Sequence, residues 1–220
     1  IRLYHSVQDL FVSADKLVAF IPLYQEVYSE LLGPEPSPEF ELRTDILVYD
    51  ISDRGSPQKE REVTVDGFYF DSRMIGDYVY AIVIEAARIY KDEVLLPCLS
   101  SESIRRMPLG LVTERLWRKV EPTDVYYINQ TDTGFCYTNL LAINAQDPEE
   151  SVTLETFLLG EAANLYVSMG NIYITARRSH GVTTIYKIAI DGGSVTYAAD
   201  GSVPGWVLNQ FSMDCLLYTS

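Results

Sequence analysis

Arginine and tryptophan side chains gather in the stretch RRMPLGLVTERLWRK, residues 105–119 of this 220-residue chain. The stretch contains one acidic residue, Glu114, and five basic ones: Arg105, Arg106, Arg115, Arg118 and Lys119. Trp117 lies among them, and Arg177 and Arg178 form a second basic pair. Guanidinium groups beside an aromatic ring recognise carboxylates, so this pattern favours an acidic peptide or a uronic-acid glycan as partner. The alternative is that the arginines pair with the chain's own carboxylates and Trp117 covers a small apolar cluster.

Side chains suited to nucleophilic catalysis are scarce. The sequence has no Gly-x-Ser-x-Gly turn, and His5 and His180 are its two histidines. His5 precedes the first strand pattern, and His180 lies in a predicted loop tip, where a solvated histidine is the simpler interpretation. Most aspartates fall at predicted turns, where they accept backbone hydrogen bonds. We therefore predict no catalytic residue.

Metal-ligating patterns are also weak, and we predict no cofactor. The sequence has neither a Cys-x-x-Cys pair nor a histidine pair. The oxygen-rich loops 50–57 and 129–134 are where calcium would bind, although ordinary turns have the same composition. Cys98 and Cys136 either form a disulfide in an oxidising compartment or stay buried thiols. Asn129 begins a single glycosylation sequon.

The overall composition excludes several classes of partner. Hydrophobic residues make up 47% of the chain, as in a globular domain, and no apolar run approaches the roughly 20 residues of a membrane helix. The formal charge of −14 repels nucleic acid and anionic membrane surfaces. We predict neither a nucleic-acid partner nor a membrane-spanning segment in this chain.

The elements that must position these residues recur along the sequence. Three stretches begin with Thr, alternate as a strand, break at Asp with Pro or Gly, and run through a second strand to Gly. They are 44–67, 138–160 and 183–201. A second kind of hairpin, with Ala-Asp, Gly-Asp or Gly-Asn at its turn, occurs at 10–22, 70–83 and 165–177. Four short strands in roughly 40–50 residues are typical of one propeller blade. The alternative is a β-sandwich with unrelated hairpins.

We therefore predict an all-β fold: a partial β-propeller of about three four-stranded antiparallel blades plus one extra inner strand. With the strands of a blade named a to d from the inside outward, a–b hairpins fall at 8–21, 68–84 and 163–177, and c–d hairpins at 44–66, 137–160 and 183–200. Inner strands at 68–76, 163–170 and 205–213 would place Arg73, Ser168 and Gln210 near the channel, with no obvious pair of acids beside them. Because propellers close with about 4–8 blades, we expect this arc to self-associate or misfold when expressed alone.

Two long segments, 22–43 and 85–136, are predicted as insertions in the loops between strands b and c. Because neighbouring strands alternate in direction, every b–c connection leaves the propeller at the same end as the d–a connections. Long loops on a rigid scaffold are where binding residues concentrate. We predict that this end carries the binding residues, namely Tyr28, Trp117, Arg118, Arg177 and Arg178.

Several stretches, among them SRMIGDYVY (72–80) and VPGWVLNQFSMD (203–214), resemble archaeal and bacterial secreted proteins with a C-terminal β-propeller domain, distant relatives of WD repeats. The resemblance is collinear over most of 10–214, except in 85–122. It implies a propeller, an extracellular or cell-surface location, and no activity assignable to a residue. It also implies that 1–214 is an incomplete propeller domain whose partners include the remaining blades of a parent chain. Residues 215–220, CLLYTS, resemble a non-native tail.

Together these features predict an extracellular interaction module that presents one loop-bearing end to a protein or an acidic glycan and has no catalytic activity. The alternative is a fragment of a propeller enzyme, a glycan-active hydrolase or lyase, whose active site needs the missing blades.

Overall fold

The computed structural model describes residues 6–29, 37–90, 92–108, 110–127, 135–160, 162–178 and 181–213. Within these ranges the chain forms β-strands and two short 3-10 helices, Pro122–Asp124 and Gln210–Met213, and no α-helix. Among the same residues no helix is long and apolar enough to cross a membrane. In chain order the strands are β1 (Asp9–Ser13), β2 (Lys16–Ser29), β3 (Ser37–Asp50), β4 (Gln58–Asp66), β5 (Phe68–Ile75), β6 (Tyr78–Ala86), β7 (Arg88–Tyr90), β8 (Glu93–Leu95), β9 (Cys98–Met107), β10 (Gly110–Lys119), β11 (Val125–Tyr127), β12 (Cys136–Asn144), β13 (Thr153–Leu159), β14 (Ala162–Val167), β15 (Asn171–Arg178), β16 (Val182–Asp191) and β17 (Ser194–Pro204).

The chain forms three larger sheets of antiparallel hairpins, which confirms the predicted all-β class and the partial propeller. Sheet 1 has the order β1-β2-β3-β4-β9-β10, sheet 2 the order β5-β6-β12-β13-β11, and sheet 3 the order β14-β15-β16-β17. The first four strands of each sheet, in this order, are the predicted strands a to d. Every pairing is antiparallel except that of β11 with β13, and β7 and β8 form a separate hairpin.

Sheet 2 is buried on both faces and joins the other two sheets. Along β6, Val79, Ala81 and Val83 face sheet 1, whereas Tyr80, Ile82 and Ile84 pack with sheet 3. Burying an aliphatic side chain of this size stabilises the fold by about 1.5–3 kcal/mol. Because both faces of β6 are buried, its sequence is a continuous apolar run and does not alternate between apolar and polar residues.

Turn chemistry agrees with the predicted hairpins. The turn between β16 and β17 contains Gly192 at a φ of +54°, a left-handed conformation that glycine adopts without steric cost. Gly67, between β4 and β5, has a φ of +112°, and a Cβ there would lie 2.6 Å from the carbonyl oxygen of Ile84. The passage from the first blade to the second therefore requires a residue without a side chain.

The two predicted b–c loop insertions contain strands. Segment 22–43 extends β2 and β3 into one long hairpin arm, with Ser29 opposite Ser37. Segment 85–136 contributes β9 and β10 to the outer edge of sheet 1 and β11 to the outer edge of sheet 2. Both segments are inserted between strands b and c, as predicted, but they are not irregular loops: 22–43 is a hairpin whose two arms pair with each other, and 85–136 adds strands to the outer edges of sheets 1 and 2.

The predicted extra inner strand at 205–213 was also wrong. β17 ends at Pro204, and the chain then forms a 3-10 helix at Gln210–Met213 that lies against β14. A strand needs a hydrogen-bonding neighbour, and none pairs with these residues in the part of the chain that the structure describes. The predicted inner strands 68–76 and 163–170 correspond to β5 and β14, although Ser168 lies in the turn after β14.

Some predictions fall on residues that the structure does not describe. They concern His5, Asn129, His180 and the tail 215–220, together with the side chains of Tyr28 and Gln210.

Candidate interaction face

One end of the sheets collects the connections singled out from the sequence, and we call it the b–c end. It contains the ends of β2, β6 and β15, the starts of β3, β12 and β16, and the passages from β4 to β5 and from β13 to β14. β10 runs antiparallel to β9 with Lys119 opposite Cys98, which brings the last residues of β10 to this end, near Asp66.

A cleft of about 470 Å³ opens at the b–c end beside sheets 1 and 2. Trp117 lines the cleft and is 65% exposed. The half-exposed side chains of Phe68 and Leu42 complete its apolar rim. Arg43 and Arg88 also line the cleft. This places the predicted residue Trp117 beside two arginines that the sequence analysis did not single out.

The charged groups of the cleft form ion pairs. Arg43 Nε lies 3.3 Å from Asp66 Oδ1, and Arg88 Nη2 lies 3.7 Å from Glu85 Oε1. Their formal charges cancel, so attraction for a partner would come from the local geometry of the guanidinium groups. The long-range electrostatic potential of the cleft would contribute little to this attraction, because salt screens the field of such ion pairs.

The thiols at this end are not arranged for chemistry. No disulfide joins Cys98 and Cys136 in the structure, so of the two alternatives for them it has the thiols, which are partly buried. Burial, reinforced by the carboxylate of Asp66, raises the pKa of Cys98 to about 11. A thiol with this pKa is almost fully protonated at neutral pH and is a poor nucleophile.

The arginines of the β9–β10 hairpin contact the chain's own carboxylates. Arg118 Nη2 lies 3.2 Å from Asp124 Oδ2, and Arg105 Nε lies 2.6 Å from Glu149 Oε1. Arg115 donates to Glu102. Arg118 is the one of these three that belongs to the predicted binding set, and its partner Asp124 is partly exposed. The pairing that we weighed as the alternative to a binding patch is therefore present for each of them.

The second predicted basic pair lies on sheet 3. The guanidinium carbon of Arg177 lies 5.8 Å from the centre of the Trp206 ring, a cation–π contact. Arg178 Nε donates to Thr184 Oγ1 at 3.1 Å, and its Nη2 donates to the hydroxyl of Tyr186. Arg177 is thus presented at the surface, whereas Arg178 is tied to its own sheet.

Sequence reasoning missed Trp206, which is 56% exposed at the b–c end. Because 205–213 was predicted as an inner strand, Trp206 was not identified as an exposed residue of this end. Both tryptophans of the chain, Trp117 and Trp206, lie at this one end, on sheet 1 and at the edge of sheet 3, and each has an arginine nearby.

Acidic residues lie on the first strands of sheets 1 and 2, each in contact with its own neighbours. Tyr69 on β5 donates its hydroxyl to Asp9 Oδ2 on β1 at 2.7 Å and lies 2.7 Å from Ser72 Oγ. Asp71 Oδ1 accepts from Arg73 Nη1 at 2.7 Å. Burial is the main cause of the raised pKa of Tyr69, and the nearby carboxylates of Asp9 and Asp71 add to it.

The oxygen-rich loop 50–57 uses its carboxylates within the chain. Asp50 Oδ1 accepts from the amide of Ser52 at 2.8 Å, and Asp53 Oδ1 accepts from the amide of Gly55 at 2.9 Å. Asp50 Oδ2 lies 3.0 Å from Lys16 Nζ. These are the contacts of ordinary turns. The other loop proposed for calcium, 129–134, lies outside the described residues.

Comparison with known proteins gives one result. A family model described as "Beta propeller domain" matches residues 1–216. No curated protein and no solved structure matches the chain.

Proposed function

Because the chain belongs to the Beta propeller domain family, we propose that it is a non-catalytic interaction module whose b–c end receives a protein or an acidic glycan. The observation that carries this proposal is the position of the two tryptophans. Trp117 and Trp206 are both more than half exposed at the same end of the sheets. Tryptophan and arginine dominate the energetics of binding surfaces, so exposing them together is typical of a recognition site.

The chemistry of the partner follows from the arginines. Arg177 stacks on Trp206, whereas Arg118 lies at the same end on β10 but on the strand face opposite to Trp117, because successive side chains of a strand alternate. A planar guanidinium binds a carboxylate through paired hydrogen bonds, and the adjacent indole ring offers an apolar face. Acidic side chains of a protein and the uronic acids of a glycan both present this combination. Arg118 would exchange its own carboxylate, Asp124, for one from the partner.

Intrinsic tryptophan fluorescence and isothermal titration calorimetry at low salt test the proposal, with polyglutamate and polygalacturonate as probes. Arg118→Ala and Arg177→Ala together should weaken binding at least tenfold and leave the melting temperature nearly unchanged, because exposed ion pairs contribute little to stability. Arg54→Ala is the matched control, since Arg54 is exposed in the β3–β4 turn at the opposite end. Equal affinity of the double variant and the parent, or no binding of either probe by the parent, would refute the proposal.

Arg178 is unsuited to this experiment, although the sequence placed it in the same set. Its side chain donates to Thr184 and to the buried Tyr186. Replacing it with alanine would remove both hydrogen bonds and cost about 1–3 kcal/mol of stability. A loss of binding in that variant would therefore not distinguish recognition from folding.

The location outside the cell is part of the proposal and rests on the resemblance to secreted proteins. Detecting the protein in the culture medium or on intact cells would support it. Recovery from the cytosolic fraction alone would contradict it.

A second candidate function is favoured by the carboxylates on the first strands. Asp9 and Asp71 both lie close to Tyr69 in neighbouring sheets, and paired acids are the usual machinery of glycan hydrolysis. Release of reducing ends or unsaturated sugars from polyuronates, abolished by Asp9→Asn or Asp71→Asn, would establish this function. If the unaltered chain releases neither product, an active site formed by this chain alone is refuted, and the interaction module is unaffected.

A further inference from the structure

The outermost strand of sheet 1, β10, has an open edge. In the described part of the chain it pairs with β9 and with no other strand. All ten of its residues are exposed. Leu111, Val112, Leu116 and Trp117 are large apolar residues among them. A long, exposed and apolar edge strand is a template for pairing with another strand.

The backbone of β10 is oriented for such pairing. Val120 donates its amide to the carbonyl of Pro97 at 2.9 Å, which continues the β9–β10 register by one residue. In an antiparallel pair the direction of the backbone groups alternates along the strand. The even-numbered residues therefore bond to β9, and the odd-numbered residues, from Leu111 to Lys119, direct their N–H and C=O groups outward.

We propose that β10 pairs antiparallel with β10 of a second copy of this chain, about a twofold axis through Leu116. Such an axis, perpendicular to the sheet, places each residue opposite one on the same face. Leu116 then faces Leu116 of the other copy, Glu114 faces Arg118, and Arg115 faces Trp117. These opposite pairs are an apolar contact, an ion pair and a cation–π contact, and the last two occur twice.

Other registers lack this complementarity. An axis through Glu114 sets glutamate against glutamate, and an axis through Arg115 sets arginine against arginine, which repel across a strand pair. An axis through Trp117 sets Arg115 against Lys119. An axis through Thr113 places Val112 opposite Glu114. The axis at Leu116 is the one that matches opposite charges and buries its central side chain.

The outer edge of sheet 3 provides a contrast. Its edge strand, β17, is of similar length and exposure, but it contains Gly201 and ends at Pro204. Glycine weakens a strand and proline cannot donate to a partner, so both discourage pairing. β10 has a glycine only at its first position and no proline. The proposal goes beyond the proposed function, because its partner is a second copy and not an external ligand.

A single cysteine tests the register. In the proposed dimer Leu116 is opposite itself at a pair without backbone hydrogen bonds, where side chains lie closest. Leu116→Cys should therefore form an oxidised dimer of twice the chain mass on denaturing gels. Val112→Cys is the matched control, because Val112 is exposed on the same strand and would not face its own copy. The unaltered chain, with its own three cysteines, sets the background. Cross-linking of Leu116→Cys that does not exceed both controls would overturn the proposal.

A charged residue at the proposed twofold axis tests whether the chain dimerises through β10. By light scattering coupled to gel filtration, the parent should have the mass of a dimer, and Leu116→Lys should have the mass of a monomer. Leu111→Lys introduces the same charge at a residue that is more exposed than Leu116 and lies outside the paired segment, so this variant should remain dimeric. Monomeric parent at all concentrations, or dimeric Leu116→Lys, would overturn the proposal. The dimer would engage Trp117 and Arg118, whereas Arg177 and Trp206 lie on a different sheet. Binding of polyuronate at Arg177 therefore tests the proposed function separately.

Discussion

Phe20 lies where sheets 1 and 2 share their core, and replacing it measures how strongly the two blades depend on each other. Its side chain is fully buried. The ring centre lies 6.1 Å from that of Phe11 on the same sheet and 5.0 Å from that of Tyr69 on sheet 2. Burial of a side chain of this size contributes about 1.5–3 kcal/mol, and each aromatic contact adds about 0.5–1.5 kcal/mol.

Phe20→Ala also leaves a cavity, so we expect the free energy of unfolding to fall by about 3–5 kcal/mol. This is a large part of the roughly 5–15 kcal/mol that stabilises an ordinary domain. Urea unfolding followed by circular dichroism measures the change, with Met169→Ala as the control. Met169 is 89% exposed in the turn between β14 and β15, so its removal should have an effect within about 0.5 kcal/mol.

Two results would refute this reasoning. A loss below about 1 kcal/mol for Phe20→Ala would mean that sheets 1 and 2 do not share a packed core. Two separate unfolding transitions, with only one shifted by the substitution, would mean that the blades unfold independently. Combining Phe20→Ala with Tyr69→Ala should show a coupling energy of about 0.5–1.5 kcal/mol, because these rings are in contact.

Three further predictions concern single residues. Hydrogen bonds from Ser52 lower the pKa of Asp50 to about 2; the stabilisation is complete above its ordinary pKa of 3.8 and is lost as the pH falls toward 2. Asp50→Asn should therefore lower the melting temperature at neutral pH, and a difference from the parent that persists undiminished near pH 2 would contradict this cause. The pKa of about 11 for Cys98 predicts slow labelling by iodoacetamide at neutral pH, and mass spectrometry showing labelling as fast as in urea would disprove it. Gly67→Ala should destabilise the chain by about 1–3 kcal/mol more than Gly76→Ala in calorimetry, because a Cβ meets backbone at the first position and open space at the second; equal losses would rule out the close contact.

Local patterns were sufficient to predict the hairpins. The alternation in 183–190 and the glycine at 192 predicted a hairpin over 183–200, and the structure has β16 and β17 at 182–191 and 194–204. Side-chain periodicity and turn conformation are properties of a few neighbouring residues, so they are visible in the sequence.

Pairing between distant segments was not predictable in the same way. Nothing local in 98–119 identifies the edge of β4 as the partner of β9. The prediction of a strand at 205–213 failed for the same reason, since a strand pattern does not reveal whether a neighbour is present. For the site, Trp117 lies at the b–c end on strand β10 and not in a loop. The cleft residues Arg43 and Arg88 come from segments whose proximity depends on that pairing.

The insertion between β6 and β12 changes the order in which the blades are completed. After the first two strands of sheet 2, the chain returns to sheet 1 to add β9 and β10, and then comes back to sheet 2 with β11. During synthesis β4 therefore lacks its partner β9 until the first strands of the second blade have been made. In most repeat proteins each unit contacts its neighbours and folding spreads from one to the next. Here the first two blades are interleaved, so we expect them to fold as one cooperative unit, and we expect the long sequence separation between paired strands to slow that step.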